Sequence, residues 1–263
     1  MILQEIAEKT KERIEFEKKK VPLEEIKSKA LDMPVSSDFR FKAALRQRRL
    51  NNNGMAFICE VKKASPSKGI IAEDFPYVEI AKSYEDAGAD AISCLTEPFY
   101  FKGSNEYLKE IAKNVSIPII RKDFTVDEYM IYEAKVIGAS AVLLICAILD
   151  DARLKDYLSL AHSLGLSAIV EAHSKEEVER ALHADAGIIG VNNRDLRDFT
   201  VDINNSVNLR KLVPSDKVFV AESGIKTPDD IKKLYENGTD AVLIGETLMR
   251  AKNKKEMLDT LRG

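Results

Sequence analysis

The fold this sequence predicts is an α/β barrel of eight strand–helix repeats, a (β/α)8 or TIM barrel, with an N-terminal helical extension. Three observations predict it. Eight short apolar runs recur: Ala56–Val61, Ala91–Leu95, Ile117–Ile120, Ala141–Ile145, Ser167–Val170, Gly187–Val191, Val218–Ala221 and Ala241–Ile244. They are separated by helix-patterned stretches at an average interval of about 26 residues, enough for one strand, one helix and two loops. The whole chain has 263 residues, close to the ~250 of a typical barrel of this kind. Residues 1–263 are therefore expected to form a single barrel domain, with residues 1–55 as a helical extension packed on it.

The elements follow in chain order. Residues 2–20 place Ile2, Leu3, Ile6, Ile14 and Phe16 among many Lys and Glu, which is an amphipathic helix. Residues 24–31 suggest a second, short helix, Met33-Pro34 breaks it, and Phe39–Leu50 suggests a third. The extension is expected to lie over an end of the barrel. Arg46, Arg48 and Arg49 are expected to form a solvated helix face. From residue 56 the apolar runs are continuous rather than alternating, as parallel strands buried on both faces require. Helices are expected over 77–87, 104–113, 127–137, 150–164, 174–183, 204–212, 228–237 and 253–261. Asp127, Asp150 and Ser174 are expected N-caps, and Pro228 fits a first helical turn. Gly88, Gly138 and Gly238 are expected helix stops. An open doubly wound sheet would want a Gly-x-Gly-x-x-Gly turn after its first strand, and the sequence has none.

Composition narrows the function. The formal net charge is −3, which gives no case for nucleic acid or a membrane surface as a partner. No apolar stretch approaches a membrane span, and the N-terminal residues lack an apolar signal core, so a cytoplasmic enzyme is expected. Cys59, Cys94 and Cys146 are odd in number and lack Cys-x-x-Cys spacing, and are expected to be small buried hydrophobes. His162, His173 and His183 fit no metal motif. His162 and His183 are expected to be ordinary packing or surface residues, with only His173 near enough to Glu171 to reach the rim. No metal and no cofactor is expected.

The apolar runs end in polar residues, and in a barrel these ends carry the active site. Glu60 and Lys62 are two apart and share one face of the first strand. Ser65-Pro66-Ser67-Lys68-Gly69 follows as a donor-rich loop. Lys122 closes the third run, where a lysine can be a general acid, a phosphate contact or a Schiff-base former. Glu171 ends the fifth run and can couple with a lysine across the mouth. Asn192 and Arg194 follow the sixth run and offer an amide and a planar fork. Glu222-Ser223-Gly224 and Gly245-Glu246 follow the last two runs, where barrels often hold a phosphate. Glu246 is expected to turn its carboxylate away and lend only its backbone N–H. Acid–base chemistry on a phosphorylated small molecule follows.

Five segments carry a specific resemblance: Glu60-Val-Lys-Lys-Ala-Ser-Pro-Ser, Pro118-Ile-Ile-Arg-Lys-Asp-Phe, Gly190-Val-Asn-Asn-Arg-Asp-Leu, Ala221-Glu-Ser-Gly-Ile and Ile244-Gly-Glu-Thr-Leu-Met-Arg. Together with Leu95-Thr96-Glu97 and Tyr100-Phe101-Lys102-Gly103, in that order and spacing, the chain resembles the indole-3-glycerol phosphate synthase family of tryptophan biosynthesis. The resemblance implies a decarboxylating, dehydrating ring closure without a cofactor. It implies Lys122 as general acid, Glu171 as the carboxylate of the dehydration, and Lys62 as the partner of substrate anions. Glu60, Asn192 and Glu222 would orient substrate and catalytic groups, with Ser223 beside them. Ser65, Gly224, Gly245 and Glu246 would grip phosphate, and Arg194 would structure the rim. Phe101, Phe124, Leu143 and Leu196 would surround the aromatic ring. The implied partner is the phosphorylated substrate, and a monomer able to associate with other enzymes of the pathway is expected. Two rival readings remain at this stage: a Schiff-base aldolase using Lys122, and a barrel that only binds a phosphorylated ligand.

Overall fold

The computed structural model describes residues 2–51, 53–195 and 198–263. The eight runs form strands β1 (Ala56–Val61), β2 (Ala91–Leu95), β3 (Ile119–Lys122), β4 (Ala141–Ile145), β5 (Ser167–Ala172), β6 (Ile188–Asn192), β7 (Val218–Glu222) and β8 (Ala241–Ile244). All eight are parallel to their neighbours, and β1 pairs with both β2 and β8, so the sheet closes as the sequence predicts. The helices are α1 (Ile2–Lys20), α2 (Leu23–Leu31), α3 (Arg40–Leu50), α4 (Tyr77–Asp86), α5 (Asn105–Asn114), α6 (Glu128–Val136), α7 (Asp151–Ser163), α8 (Lys175–His183), α9 (Asn204–Leu209), α10 (Pro228–Glu236), α11 (Glu246–Arg250) and α12 (Lys254–Arg262). Asp127, Asp150 and Ser174 accept N-terminal amides of their helices through their side chains. Pro228 sits in the first turn of α10 behind a Thr227 capping box.

Several strands extend past their apolar runs. Glu171 pairs in register with Ile145 and Gly190, and Asn192 with Glu222, so these polar residues belong to the ladder itself. Hydrophobicity stops before the hydrogen bonding does, because the last inward position of each strand faces the mouth rather than the core. At β3 the ladder also starts later than expected, at Ile119 rather than Ile117, since Pro118 has no N–H to contribute.

Alternation sorts the strand residues into two cores. Outward residues such as Phe57, Cys59, Ile92, Val142, Val170, Phe219 and Val242 pack under the helices. Inward residues such as Ile58, Ile120, Leu143, Ile169, Val220 and Leu243 fill the barrel. Ala56, Ala91, Ala141 and Ala241 narrow little at the N-terminal end, and Phe41 and Leu45 of α3 fill the space they leave. All three cysteines are buried free thiols, and burial pushes their pKa values up, which keeps them inert.

The extension braces both ends. At the bottom, Arg48 donates to the Asp90 carboxylate at 2.6 Å, Arg49 to the Thr239 carbonyl at 2.9 Å, and Arg46 to the Asp216 carbonyl. The basic cluster is therefore no solvated face. The arginines satisfy carbonyls and carboxylates at the barrel floor, which a helical pattern alone cannot reveal. At the top, Arg13 of α1 donates to both oxygens of Asp123 at 2.9 and 3.0 Å, directly beyond Lys122. Asp123 also accepts from Thr96 at 2.7 Å and lies 3.6 Å from Arg121.

Phe41 is fully buried as part of the floor. Phe41→Ala is expected to lower unfolding free energy by about 3–5 kcal/mol, read by urea denaturation. Activity of the folded fraction should be nearly unchanged, because the floor lies at the opposite end from the mouth.

Candidate active site

Strand direction and alternation place the chemistry. Glu60, Lys122, Glu171, Asn192 and Glu222 occupy the last inward positions of β1, β3, β5, β6 and β7, so five strands aim polar groups into one mouth. A cavity of about 780 Å³ opens there. It is lined by these five residues and by Lys62, Ser65, Phe101, Phe124, Leu143, Arg194, Ser223, Gly224, Gly245 and Glu246. Leu196 lies outside the described residues. Ile2, Leu3 and Ile6 of α1 also line the cavity, so the extension covers part of the opening.

Lys122 is the electrostatic centre. Its Nζ donates to Glu171 Oε2 at 2.9 Å and to Glu222 Oε2 at 3.0 Å. Burial alone would lower the lysine pKa, but the carboxylates of Glu171, Glu222 and Glu60 push it above its ordinary value, so the ammonium is held charged. The two carboxylates are driven apart. Burial would raise Glu171, yet the Lys122 charge, with help from His173 and Asn192, holds it down at about 2. Glu222 is pushed up to about 7 by burial and by the charge of Glu171, against the pull of Lys122. One carboxyl is thus ionised and its neighbour is poised near neutrality, the separation that acid–base catalysis exploits. Glu222 Oε1 has no hydrogen-bond partner and packs where Gly190 lacks a Cβ.

A second pair stands across the mouth. Lys62 Nζ donates to Glu60 Oε2, and Ser93 Oγ lies 3.4 Å from Glu60 Oε1. A Cβ on Gly245 would meet Glu60 and would come within 2.7 Å of Lys62 Nζ, so the pair fills the space a side chain there would need.

The rim loops complete the site. Ala64–Ser65 pairs antiparallel with Gly69–Ile70, which folds the loop after β1 over the opening. Ser223 and Gly224 take φ of 67° and 83°, and this left-handed pair turns the chain sharply after β7. Asn193 Nδ2 donates to the Ser223 carbonyl at 3.1 Å and fixes the turn. After β8, Gly245 leads into α11, whose first N–H groups have no intrahelical partner. The Glu246 carboxylate accepts from Arg250 at 3.1 Å and lies 3.7 Å from Lys68 Nζ. It is engaged by two cations at the lip of the cavity, rather than simply turned away. Arg194 donates from its guanidinium to the Phe199 carbonyl at 3.3 Å, and from its backbone to Asn192 Oδ1 at 3.0 Å. Asn192 Nδ2 in turn faces Glu171 Oε1 at 3.4 Å. Phe101 and Phe124 stand with ring centroids 6.0 Å apart, forming an apolar wall.

Two contributors carried little or no signal in the sequence. His173 sits behind Glu171, its Nε2 3.6 Å from Glu171 Oε1. Its nearness along the strand, and the Ser174-x-x-Glu177 capping spacing that follows, were the available signals. Arg13 gave none, since its partner Asp123 is 110 positions away. His162 packs edge-on against Phe39, and His183 contacts the Glu179 carbonyl, both as ordinary packing or surface residues.

Among solved structures, the chain superposes on a thiamine phosphate pyrophosphorylase from Pyrococcus furiosus with a TM-score of 0.60 at 18% identity, covering 81% of this chain and 96% of that one. It superposes on a chain of the tryptophan synthase α2β2 complex from the same organism with a TM-score of 0.58 at 13% identity, covering 78% and 97%. At these identities the likeness concerns the barrel fold. Sequence relatives reach further. An indole-3-glycerol phosphate synthase from Ruminiclostridium cellulolyticum is 56% identical over 263 residues, covering 100% of this chain and 99% of the relative. One from Lachnoclostridium phytofermentans is 51% identical over 268 aligned positions, covering 100% and 99%. With residues 3–261 also matching the family model described as indole-3-glycerol phosphate synthase, the chain belongs to that family.

Proposed function

We propose that this barrel mouth converts 1-(2-carboxyphenylamino)-1-deoxyribulose 5-phosphate into indole-3-glycerol phosphate, CO2 and water, with Lys122 as the general acid. The observation that carries the assignment is the Lys122 ammonium, held charged between Glu171 and Glu222 at the centre of a cavity wide enough for an aromatic ring and a sugar phosphate. A Schiff-base lysine must lose its proton to attack a carbonyl. The two carboxylates oppose that loss, which speaks against the aldolase reading.

The chemistry runs in three steps. The ring carbon that bears the carboxylate attacks the ketone carbon, and the ketone oxygen takes a proton from Lys122. The carboxylate then departs as CO2, and its electron pair restores the aromatic ring. Finally the new hydroxyl leaves as water, taking a second proton, while the neighbouring methylene carbon gives one up. Glu171 serves this dehydration. Lys62 faces the substrate anions and is oriented by Glu60, while Asn192 and Glu222 hold Glu171 and Lys122 in place. Ser65, Ser223, Gly224, Gly245 and Glu246 form the phosphate end. Phosphate binding there contributes energy remote from the reacting carbons. Phe101, Phe124 and Leu143 flank the aromatic ring, and Arg194 braces the rim through Asn192. In this reading the chain acts as one domain, as a cytoplasmic monomer free to associate with other enzymes of tryptophan biosynthesis. Three buried free thiols support the reducing compartment.

Indole fluorescence appearing from the synthetic ribulose phosphate is the direct assay, and folded wild-type protein that produces none defeats the reading. Lys122→Met is expected to cut kcat by about 10²–10⁴-fold with substrate still bound. Glu171→Gln should release CO2 while indole fails to form, because the dehydration follows decarboxylation; equal loss of both products would contradict its role. Gly190→Ala places a Cβ against Glu222 Oε1 and 2.7 Å from Ile169 Cγ2. The Glu222 carboxylate must then turn about its contact with Lys122, and kcat is expected to fall by about tenfold, measured against a circular-dichroism spectrum that stays unchanged.

A further inference from the structure

The loop from Leu95 to Gly103 leads from the end of β2 towards α5, and one buried side chain sets its shape. Glu97 is 1% exposed and is not among the residues that line the cavity. Its Oε1 accepts from the backbone N–H of Phe99 at 2.9 Å, and its Oε2 from those of Tyr100 at 2.7 Å and Phe101 at 3.0 Å. Among the described residues, all hydrogen bonds of this carboxylate go to the one loop. The Glu97 carbonyl accepts from the Gly103 N–H at 2.8 Å and closes the turn. A Cβ on Gly103 would come within 2.5 Å of the Leu95 carbonyl oxygen, so the loop lies flat on the strand end.

Three consecutive amides gathered on one carboxylate fix where their side chains go. Phe99 is exposed, and Tyr100 reaches α1, where its hydroxyl donates to Glu5 Oε1 at 2.6 Å. Phe101 enters the cavity and stands against Phe124. The neighbouring strand repeats the device. Asp123, also buried, accepts the Phe124 N–H at Oδ1 at 2.8 Å, and Thr96, next to Glu97, donates to its Oδ2 at 2.7 Å. Each ring of the apolar wall thus springs from backbone that a buried carboxylate holds.

We infer that Glu97 is a positioning residue: by gathering the amides of Phe99, Tyr100 and Phe101, it holds the Phe101 ring at the angle that aims the substrate's aromatic ring at its own ketone carbon. This rests on the ring-closure reading above. The attacking atom is a carbon of that aromatic ring, so the reaction depends on how firmly the wall holds it. A misplacement of about 1 Å can cost about 10²-fold in rate. The phosphate end belongs to separate loops, after β7 and β8. Substrate therefore stays bound when its ring is badly aimed, and the loss falls on the chemical step.

Glu97→Gln keeps the shape of the side chain but puts an NH2 group where one oxygen stood, so at least one of the three amides loses its acceptor. Its kcat is expected to fall about fivefold, read by indole fluorescence. KM, and the inhibition constant of inorganic phosphate, should stay within about twofold of wild type. In a Phe101→Ala background the same substitution should change kcat by less than about twofold, because the ring it positions is gone. The chain has no tryptophan, so Phe101→Trp supplies a single fluorophore at the wall. Adding Glu97→Gln to it should shift the emission to the red and raise its quenching by acrylamide. Equal kcat losses in both backgrounds, an unchanged kcat, weakened phosphate inhibition, a KM rise as large as the kcat loss, or unchanged quenching overturns the inference. Wild-type protein that makes no indole overturns the reaction assignment instead, and the quenching then judges the loop alone.

Discussion

Everything at the mouth depends on one buried cation shared by two carboxylates. Taking an ammonium and two carboxylates out of water costs several kcal/mol per ion before pairing offsets it. The closed barrel makes the arrangement sustainable. Parallel strands with fixed register hold Lys122, Glu171 and Glu222 on β3, β5 and β7, so little side-chain freedom remains to be lost on pairing. Because the two carboxylates compete for one lysine, they cannot share a single proton affinity. One is driven down and the other up, and the site carries an acid and a base side by side. A second lysine–carboxylate pair at the end of β1 completes the charge pattern, and its Glu60 adds to the field that keeps Lys122 charged.

The glycines at the mouth follow from the same crowding. Gly190 and Gly245 stand at inward or near-inward strand ends, where a methyl group would occupy the place of a carboxylate oxygen. Their lack of a side chain leaves room for the charged groups opposite. The aromatic and aliphatic wall formed by Phe101, Phe124 and Leu143 balances this polar half, giving a cavity with one charged side and one apolar side. Such a division suits a substrate that is an aromatic ring at one end and a phosphorylated chain at the other.

Much of this was legible in the residues. Apolar runs that end in Glu, Lys or Asn signal strands whose final inward position has left the core, and that signal located Lys122, Glu171, Asn192 and Glu222 before any coordinates. The register of those strands did not follow from hydrophobicity, since Glu171 and Glu222 pair as firmly as valine does. Long-range partners were hidden for a different reason. Arg13, Arg48 and Arg49 look like solvated helix residues because their carboxylates and carbonyls lie 40 to 190 positions away. His173 was hard to place because its approach to Glu171, 3.6 Å, is set by a glutamate four residues on, Glu177, whose carboxylate accepts from the His173 backbone N–H.

The brace formed by the extension also orders events in time. The helices at the start of the chain leave the ribosome first, but their anchors come much later: Asp123 after the third strand, the Asp216 carbonyl before the seventh, and the Thr239 carbonyl before the eighth. The amphipathic face of α1 must therefore wait until the middle of the chain has been made, and the floor-filling side chains of α3 until almost the whole polypeptide has been made. Newly synthesised chains thus pass through a long stage with apolar surface uncovered, when chaperone capture and misassociation are most favoured. Closure of the last strand ends that stage, because only then does the floor on which Phe41 and Leu45 sit exist.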